Sequence, residues 1–276
     1  MLKGVELIWA WLLSSIVLRI IMEVKPIIWQ IAIGGHAWPI SPYLLFNGIG
    51  LIVALFLLYT ILASKFPNYQ NKMYNLFVFS IVFGWSTAYI FDWLTANMSF
   101  SQSGFTFYGG LIGGCIFYIS FSYKLLPTKL VWPSLDVAVI PFLCGHAFGR
   151  IGCYFAGCCY GRVIPANNPL SFLFNIHPTQ LYESFFLFVL ALFLFNLNRK
   201  YPLSLLKTYL VSYSLFRFHI EFLRADPRLF FGPLSISQWI SLVLLFSTIT
   251  VIFNNRFQIL AHWYKKEAAG LDKLTA

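Results

Sequence analysis

The chain has 276 residues, of which 59% are hydrophobic and 10% charged, against about 25% charged in soluble domains. Together with a mean hydropathy of +0.75, this excludes a chain folded only around its own core in water and points to lipid as the solvent. The net charge of +10 does not signal nucleic acid, because Lys and Arg lie mostly in short loops between apolar runs, which is the positive-inside pattern.

In chain order, apolar windows predict spans over residues 5–22, 44–63, 74–94, 106–123, 131–157, 180–197, 205–223 and 234–253. Most approach the ~20 residues needed to cross hydrocarbon. The expected fold is an all-α polytopic transmembrane helix bundle of seven to eight spans, built as one domain over 1–276. Residues 1–39 form an N-terminal extension with a possible extra span, and 254–276 a cytoplasmic tail. The first segment, broken by Glu6 and Arg19, lacks a small-x-small cleavage site and reads as retained. Pro133 and Pro141 predict a kink or an interfacial start in 131–157. No soluble domain fits in the loops.

Loop charges set the orientation. Lys65, Lys72, Lys124, Lys129, Arg199, Lys200 and Lys207 share one side with Arg256, Lys265, Lys266 and Lys273 of the tail. The opposite connections hold only Arg162, Arg224 and Arg228. The basic side is cytoplasmic, which puts the C-terminus inside.

That orientation gathers the intramembrane polar residues at one depth, on the outer side. Gly149-Arg150-Ile151-Gly152, the ladder Tyr213, Arg217, Glu221, the string His177 to Glu183, Tyr108-Gly109-Gly110, Asn47 and Asp92 all fall there. An Arg or Asp at mid-helix costs about 2.5–3.5 kcal/mol on insertion scales, so such groups persist when paired, hydrated or functional. Tyr213, Arg217 and Glu221 recur at i, i+4, i+8 and share a helix face. Arg150 has no partner within its own helix. Two guanidiniums from different helices facing one pocket suit a phosphate, which accepts bidentate hydrogen bonds. The alternative is that each Arg snorkels or ties helices together. The glycines at 104, 109, 110, 113 and 114 allow close helix approach or leave room for lipid.

Cys153, Cys158 and Cys159 cluster without a C-x-x-C pair. A metal site, a disulfide, an accepting thiol and plain packing all remain open. Cys115 and Cys144 sit in apolar runs and read as small buried hydrophobes.

Five strings in order resemble the prolipoprotein diacylglyceryl transferase family over roughly residues 40 to 253. They are Tyr108-Gly-Gly-Leu-Ile-Gly-Gly114, Gly149-Arg-Ile-Gly152 running on to Gly161, His177-Pro-Thr-Gln-Leu-Tyr-Glu183, Arg217-Phe-His-Ile-Glu-Phe-Leu-Arg224 and Ser237-Gln-Trp239. The resemblance implies a bacterial inner-membrane enzyme with its active site toward the outer leaflet. It moves the diacylglyceryl group of phosphatidylglycerol to the thiol of a lipobox cysteine in a prolipoprotein peptide, and glycerol phosphate leaves. Its partners are these substrates and membrane lipids, with no metal, organic cofactor or nucleic acid. Carried over by position, Arg150, Arg217, Tyr108 and Glu221 are catalytic. Asn47, Gly109, Gly110, Cys153, Cys158, Gly161, Gln180, Tyr182, Glu183 and Tyr213 line the substrate site. The chain departs from the family where His gives way to Tyr108, Tyr to Asn47, Asn to Cys153, and a Gly-Glu pair to Gly157-Cys158. His146, His177 and His219 are alternative bases. The rival readings are the same lipid donor with another acceptor, or a non-catalytic phospholipid-binding or transport protein.

Overall fold

A backbone in lipid must satisfy its own N–H and C=O groups, and the long apolar runs do so as helices. The computed structural model describes residues 29–33, 36–96, 107–200, 204–226 and 230–271. In chain order the helices are α1 (Pro42–Lys65), α2 (Gln70–Ala96), α3 (Phe107–Leu125), α4 (Thr128–Phe155), α5 (Thr179–Lys200), α6 (Leu205–Ile220) and α7 (Ile236–Leu271). Stretches of α1, α2, α4, α5 and α7 are long and apolar enough to cross a membrane. This is an all-α membrane architecture. The expected spans at 106–123 and 205–223 correspond to α3 and α6, of 19 and 16 residues. Helix α6 stops short of its expected end because the chain tightens into a 3₁₀ turn at Glu221–Leu223. The expected segment 5–22 lies outside the described residues. Pro133 and Pro141 both lie within the continuous helix α4.

Two antiparallel ribbons accompany the helices. Strands β1 (Trp29–Ile33) and β2 (His36–Ile40) pair from Trp29↔Ile40 to Ile33↔His36. Strands β3 (Phe230–Phe231) and β4 (Leu234–Ser235) pair around Gly232, whose φ of +63° suits the turn. The short β4 leads directly into α7.

The chain divides into two units, Met1–Gly50 with His146–Ala276, and Leu51–Gly145. In the second, Leu58, Leu62, Met73, Leu76, Tyr118, Leu126 and Val137 form the core. Within it the Tyr118 hydroxyl and Ser134 Oγ lie 2.5 Å apart, a buried polar pair that satisfies itself. Helices α2 and α3 meet through glycine. A Cβ on Gly84 would stand 2.8 Å from the Gly110 carbonyl oxygen, and one on Gly114 3.1 Å from that of Ser80. Thr87 Oγ1 donates to the Gly109 carbonyl at 3.0 Å. Hydrophobic attraction is weak between helices in lipid, so close backbone approach and such bonds hold the pair. Gly109 and Gly110 thus have a packing role between α2 and α3. Along α1, Ile52 and Phe56 remain exposed while Leu58 and Leu62 are buried. The exposed side is the lipid-facing one in a spanning helix.

Candidate active site

The site is built in the first unit from α4, α5 and α6. Residues 147 and 184 lock α4 to α5, with Ser184 Oγ donating to the Ala147 carbonyl at 2.9 Å. That register sets Arg150, one turn farther along α4, beside Glu183. Arg150 Nε lies 3.0 Å from Glu183 Oε1. The same oxygen accepts a 2.7 Å hydrogen bond from the Tyr213 hydroxyl of α6, and His146 Nε2 stands 3.6 Å away. The other oxygen, Oε2, is 3.7 Å from Arg217 Nη1. Glu183 is 3% exposed, so four side chains from two further helices converge on one buried carboxylate. A buried charge is tolerated when paired and hydrogen-bonded in this way.

The network continues outward from Arg217. Its Nη2 lies 3.0 Å from Glu221 Oε2 and 3.4 Å from Ser237 Oγ. Glu221 Oε1 accepts from Ser235 Oγ at 2.8 Å, and its Oε2 stands 3.7 Å from Arg224 Nη1. Arg224 grips Asp226 through Nε and Nη2 at 2.8 and 2.6 Å, the fork geometry that a guanidinium presents to a carboxylate. The Asp226 hydrogen bond, with Asp226 and Glu221 as nearby anions, raises the Arg224 pKa against the opposing effect of burial. Arg150, Arg217 and Arg224 therefore alternate with Glu183, Glu221 and Asp226 along one chain of contacts. Among the described residues, no hydrogen bond engages the terminal Nη groups of Arg150. They remain as donors for an anion beside the carboxylate.

Ser235 has a second task. Its Oγ accepts from Gln238 N at 3.3 Å while its own N–H donates to Gln238 Oε1 at 3.0 Å. This is a capping box at the start of α7. Gln238 also donates to the Phe218 carbonyl at 3.4 Å. The sequence signal for this feature is the spacing Ser235-x-x-Gln238. Sequence reasoning left Arg224 as a loop charge and did not single out Asp226 or Ser235.

The loop after α4 folds back on the site. Gly161 N donates to the His177 carbonyl at 2.9 Å, Arg162 N to that of Leu223 at 2.8 Å, and Ala225 N to that of Tyr160 at 3.0 Å. Gly161 is where the three segments cross: a Cβ there would lie 2.5 Å from His177 O and 2.9 Å from Leu223 O. Thr179 Oγ1 donates to the Cys159 carbonyl at 2.6 Å, and Gln180 Nε2 donates to the Cys158 carbonyl. The start of α5 thereby fixes the cysteine loop.

Of the residues expected from sequence, Arg150, Glu183, Tyr213, Arg217 and Glu221 join one network. Asn47 packs beside it: a Cβ on Gly149 would meet Asn47 Oδ1 at 3.3 Å, and one on Gly152 would meet its Nδ2 at 3.0 Å. Gln180, Cys153 and Cys158 lie at the loop adjoining Arg150. Tyr182 turns to His177, with hydroxyl and Nδ1 3.3 Å apart. Tyr108, Gly109 and Gly110 belong to α3 in the second unit. Among the alternative bases, His146 reaches the carboxylate, whereas His219 is exposed with Nδ1 2.7 Å from the Leu215 carbonyl oxygen.

Comparison with known proteins places this arrangement. The family model described as prolipoprotein diacylglyceryl transferase matches residues 26–254, beginning upstream of the 40–253 stretch legible from motifs. The chain is 34% identical over 234 residues to the phosphatidylglycerol–prolipoprotein diacylglyceryl transferase 2 of Clostridium perfringens (strain 13 / Type A), covering 76% of this chain and 89% of that relative. It is 39% identical over 171 residues to the corresponding transferase of Clostridium tetani (strain Massachusetts / E88), with 56% and 66% covered. In Clostridioides difficile (strain 630) the relative is 33% identical over 171 residues, with 60% and 66% covered. With most of its length matched by the family model and by these relatives, the chain belongs to the prolipoprotein diacylglyceryl transferase family.

Proposed function

We propose that the protein transfers the diacylglyceryl group of phosphatidylglycerol to the cysteine thiol of a lipobox peptide in a prolipoprotein. The observation that carries this is the convergence of Arg150 and Arg217, from α4 and α6, on Glu183 of α5. The acceptor thiolate attacks the glyceryl CH₂ carbon, the C–O bond to phosphorus breaks, and glycerol phosphate departs. The phosphate changes from diester monoanion to monoester, so negative charge grows on it during the reaction. Guanidiniums already held in place stabilise that charge more in the transition state than in the bound lipid. Glu183 orients both arginines, Tyr213 holds Glu183, and Glu221 steadies Arg217. The proton of the acceptor thiol needs a base. Tyr108 occupies the family's His position, and a phenol of pKa about 10 is a poor base at neutral pH. His146, one turn from Arg150 and 3.6 Å from Glu183, is the base we favour.

The loop charges support an outer-leaflet site and a cytoplasmic C-terminus, and the apolar windows support seven to eight spans, with α3 and α6 counted among them. The test is release of glycerol phosphate from labelled phosphatidylglycerol by purified protein given a lipobox peptide. Arg150→Ala and Arg217→Ala each remove it, by about 10²-fold or more. Parental turnover in both variants would overturn the assignment. Lipid consumed without modification of the peptide would point instead to another acceptor.

A further inference from the structure

Gln180 holds a buried polar atom that the network around Glu183 does not use. The residue stands at the start of α5, beside the loop that follows α4. There the chain turns back through two left-handed residues, Gly157 at φ 66° and Cys159 at φ 59°. The turn presents two carbonyls to α5. Thr179 Oγ1 donates to that of Cys159 at 2.6 Å, and Gln180 Nε2 donates to that of Cys158. A backbone carbonyl only accepts, so the Gln180 amide cannot flip without setting oxygen against oxygen. Its Oε1 is thereby fixed as an acceptor pointing away from Cys158. Gln180 is 3% exposed, and among the described residues its Oε1 has no hydrogen-bond partner. Buried polar atoms are nearly always paired, so this one calls for a donor.

The register between α4 and α5 sets what lies beside that atom. Ser184 Oγ bonds the Ala147 carbonyl at 2.9 Å, and Glu183 Oε1 meets Arg150 Nε at 3.0 Å, so α5 descends as α4 rises. Gln180, four residues before Ser184 on the same face, comes level with Arg150 and Ile151, three and four residues past Ala147. The terminal Nη groups of Arg150 carry no hydrogen bond among the described residues. Donors without an acceptor and an acceptor without a donor thus stand at one level. A phosphate bearing a nearby hydroxyl satisfies both. We propose, resting on the lipid donor of the transfer reading, that Gln180 Oε1 accepts a hydrogen bond from a hydroxyl of the head group whose phosphate Arg150 holds. Gln180 is then the residue that selects a polyol head group. An ammonium head group would set a second cation beside Arg150, and like charges side by side are disfavoured. A head group without any donor leaves the buried oxygen unpaired. A backbone N–H of the acceptor peptide would serve Oε1 but offers nothing to the Arg150 Nη groups, so the lipid fits better.

The test varies the head group and the side chain together. Phosphatidylglycerol and phosphatidylethanol with matched acyl chains share the phosphate charge and differ in the head-group hydroxyls. Full-length protein in mixed micelles is given each lipid. Binding is read by displacement of a fluorescent phosphatidylglycerol, and transfer by release of glycerol phosphate or ethyl phosphate with a lipobox peptide present. The unmodified protein should prefer phosphatidylglycerol by about tenfold or more in both readouts. In Gln180→Leu that preference disappears. Gln180→Met, which keeps an unbranched chain, should behave alike and serves if the first variant folds poorly. An unmodified protein with no preference would overturn the proposal, since Oε1 then takes only water. So would a folded variant that weakens both lipids by the same factor, because losing the Cys158 bond alone would do that. A variant whose sole defect is a raised KM for the peptide would assign the oxygen to the acceptor and also overturn it. Selective binding without any transfer would sink the transferase reading and leave the head-group contact standing, whereas transfer without selectivity would do the reverse.

Discussion

Replacing Glu183 with Gln keeps the shape of the side chain and removes its charge. Glu183 is contacted by the Tyr213 hydroxyl at 2.7 Å, Arg150 at 3.0 Å, His146 at 3.6 Å and Arg217 at 3.7 Å. In Glu183→Gln the Tyr213 bond survives if the amide oxygen takes the Oε1 position, but an NH₂ then faces the Arg217 guanidinium. Breaking a buried ion pair by removing one partner costs about 3–5 kcal/mol, because the remaining charge is left buried. Tyr213→Phe removes one hydrogen bond to a charged group, worth about 1.5–3 kcal/mol, and leaves both arginines paired. The expected order of destabilisation is Glu183→Ala, then Glu183→Gln, then Tyr213→Phe, read from unfolding titrations in mixed micelles. Activity should follow a different course. A guanidinium displaced by about 1 Å costs on the order of 10² in rate, so folded Glu183→Gln should lose kcat/KM by about that factor while still binding lipid. A Glu183→Gln protein with parental stability and parental turnover would show that Glu183 does not organise the arginines, and the site as described would fail.

Other outcomes follow from the same geometry. Gly161→Ala places a methyl 2.5 Å from the His177 carbonyl oxygen, between backbone segments that cannot rotate away. It should cost about 1–3 kcal/mol, seen as a lowered unfolding midpoint, and an unchanged midpoint would refute the crossing. Ser235→Ala loses both the α7 cap and the bond to Glu221. It should destabilise by about 1–2 kcal/mol and reduce transfer, whereas Ser235→Thr should largely restore both.

The long helices were legible because lipid imposes one pattern, continuous apolarity over a fixed length. The expected 44–63 became Pro42–Lys65, and 180–197 became Thr179–Lys200. The face shared by Tyr213, Arg217 and Glu221 was legible from helical periodicity alone. The partner of Arg150 was not, because Glu183 lies on a different helix and sequence spacing carries no register between helices. The family strings placed Glu183 in the right region without showing that both arginines meet on it. The cysteine cluster was legible in the sequence, but the turn that carries it was not. It depends on a left-handed cysteine, a conformation that local propensity argues against and that the hydrogen bond from Thr179 imposes. The glycines of α3 were readable as either packing or lipid space. Only the distances to Gly84, Ala88 and Ser80 show packing against α2.

One hydroxyl, that of Ser235, both starts the final helix and steadies the carboxylate that holds Arg217. The anchoring of that helix and the aim of the guanidinium are therefore mechanically joined. A change in the adjoining Phe230–Ser235 ribbon, whether by substitution or by a peptide leaning on it, reaches the Arg217 guanidinium through a single oxygen atom. Variation in the ribbon is thus tied to the set of a guanidinium on another helix, and neither can be redesigned without the other.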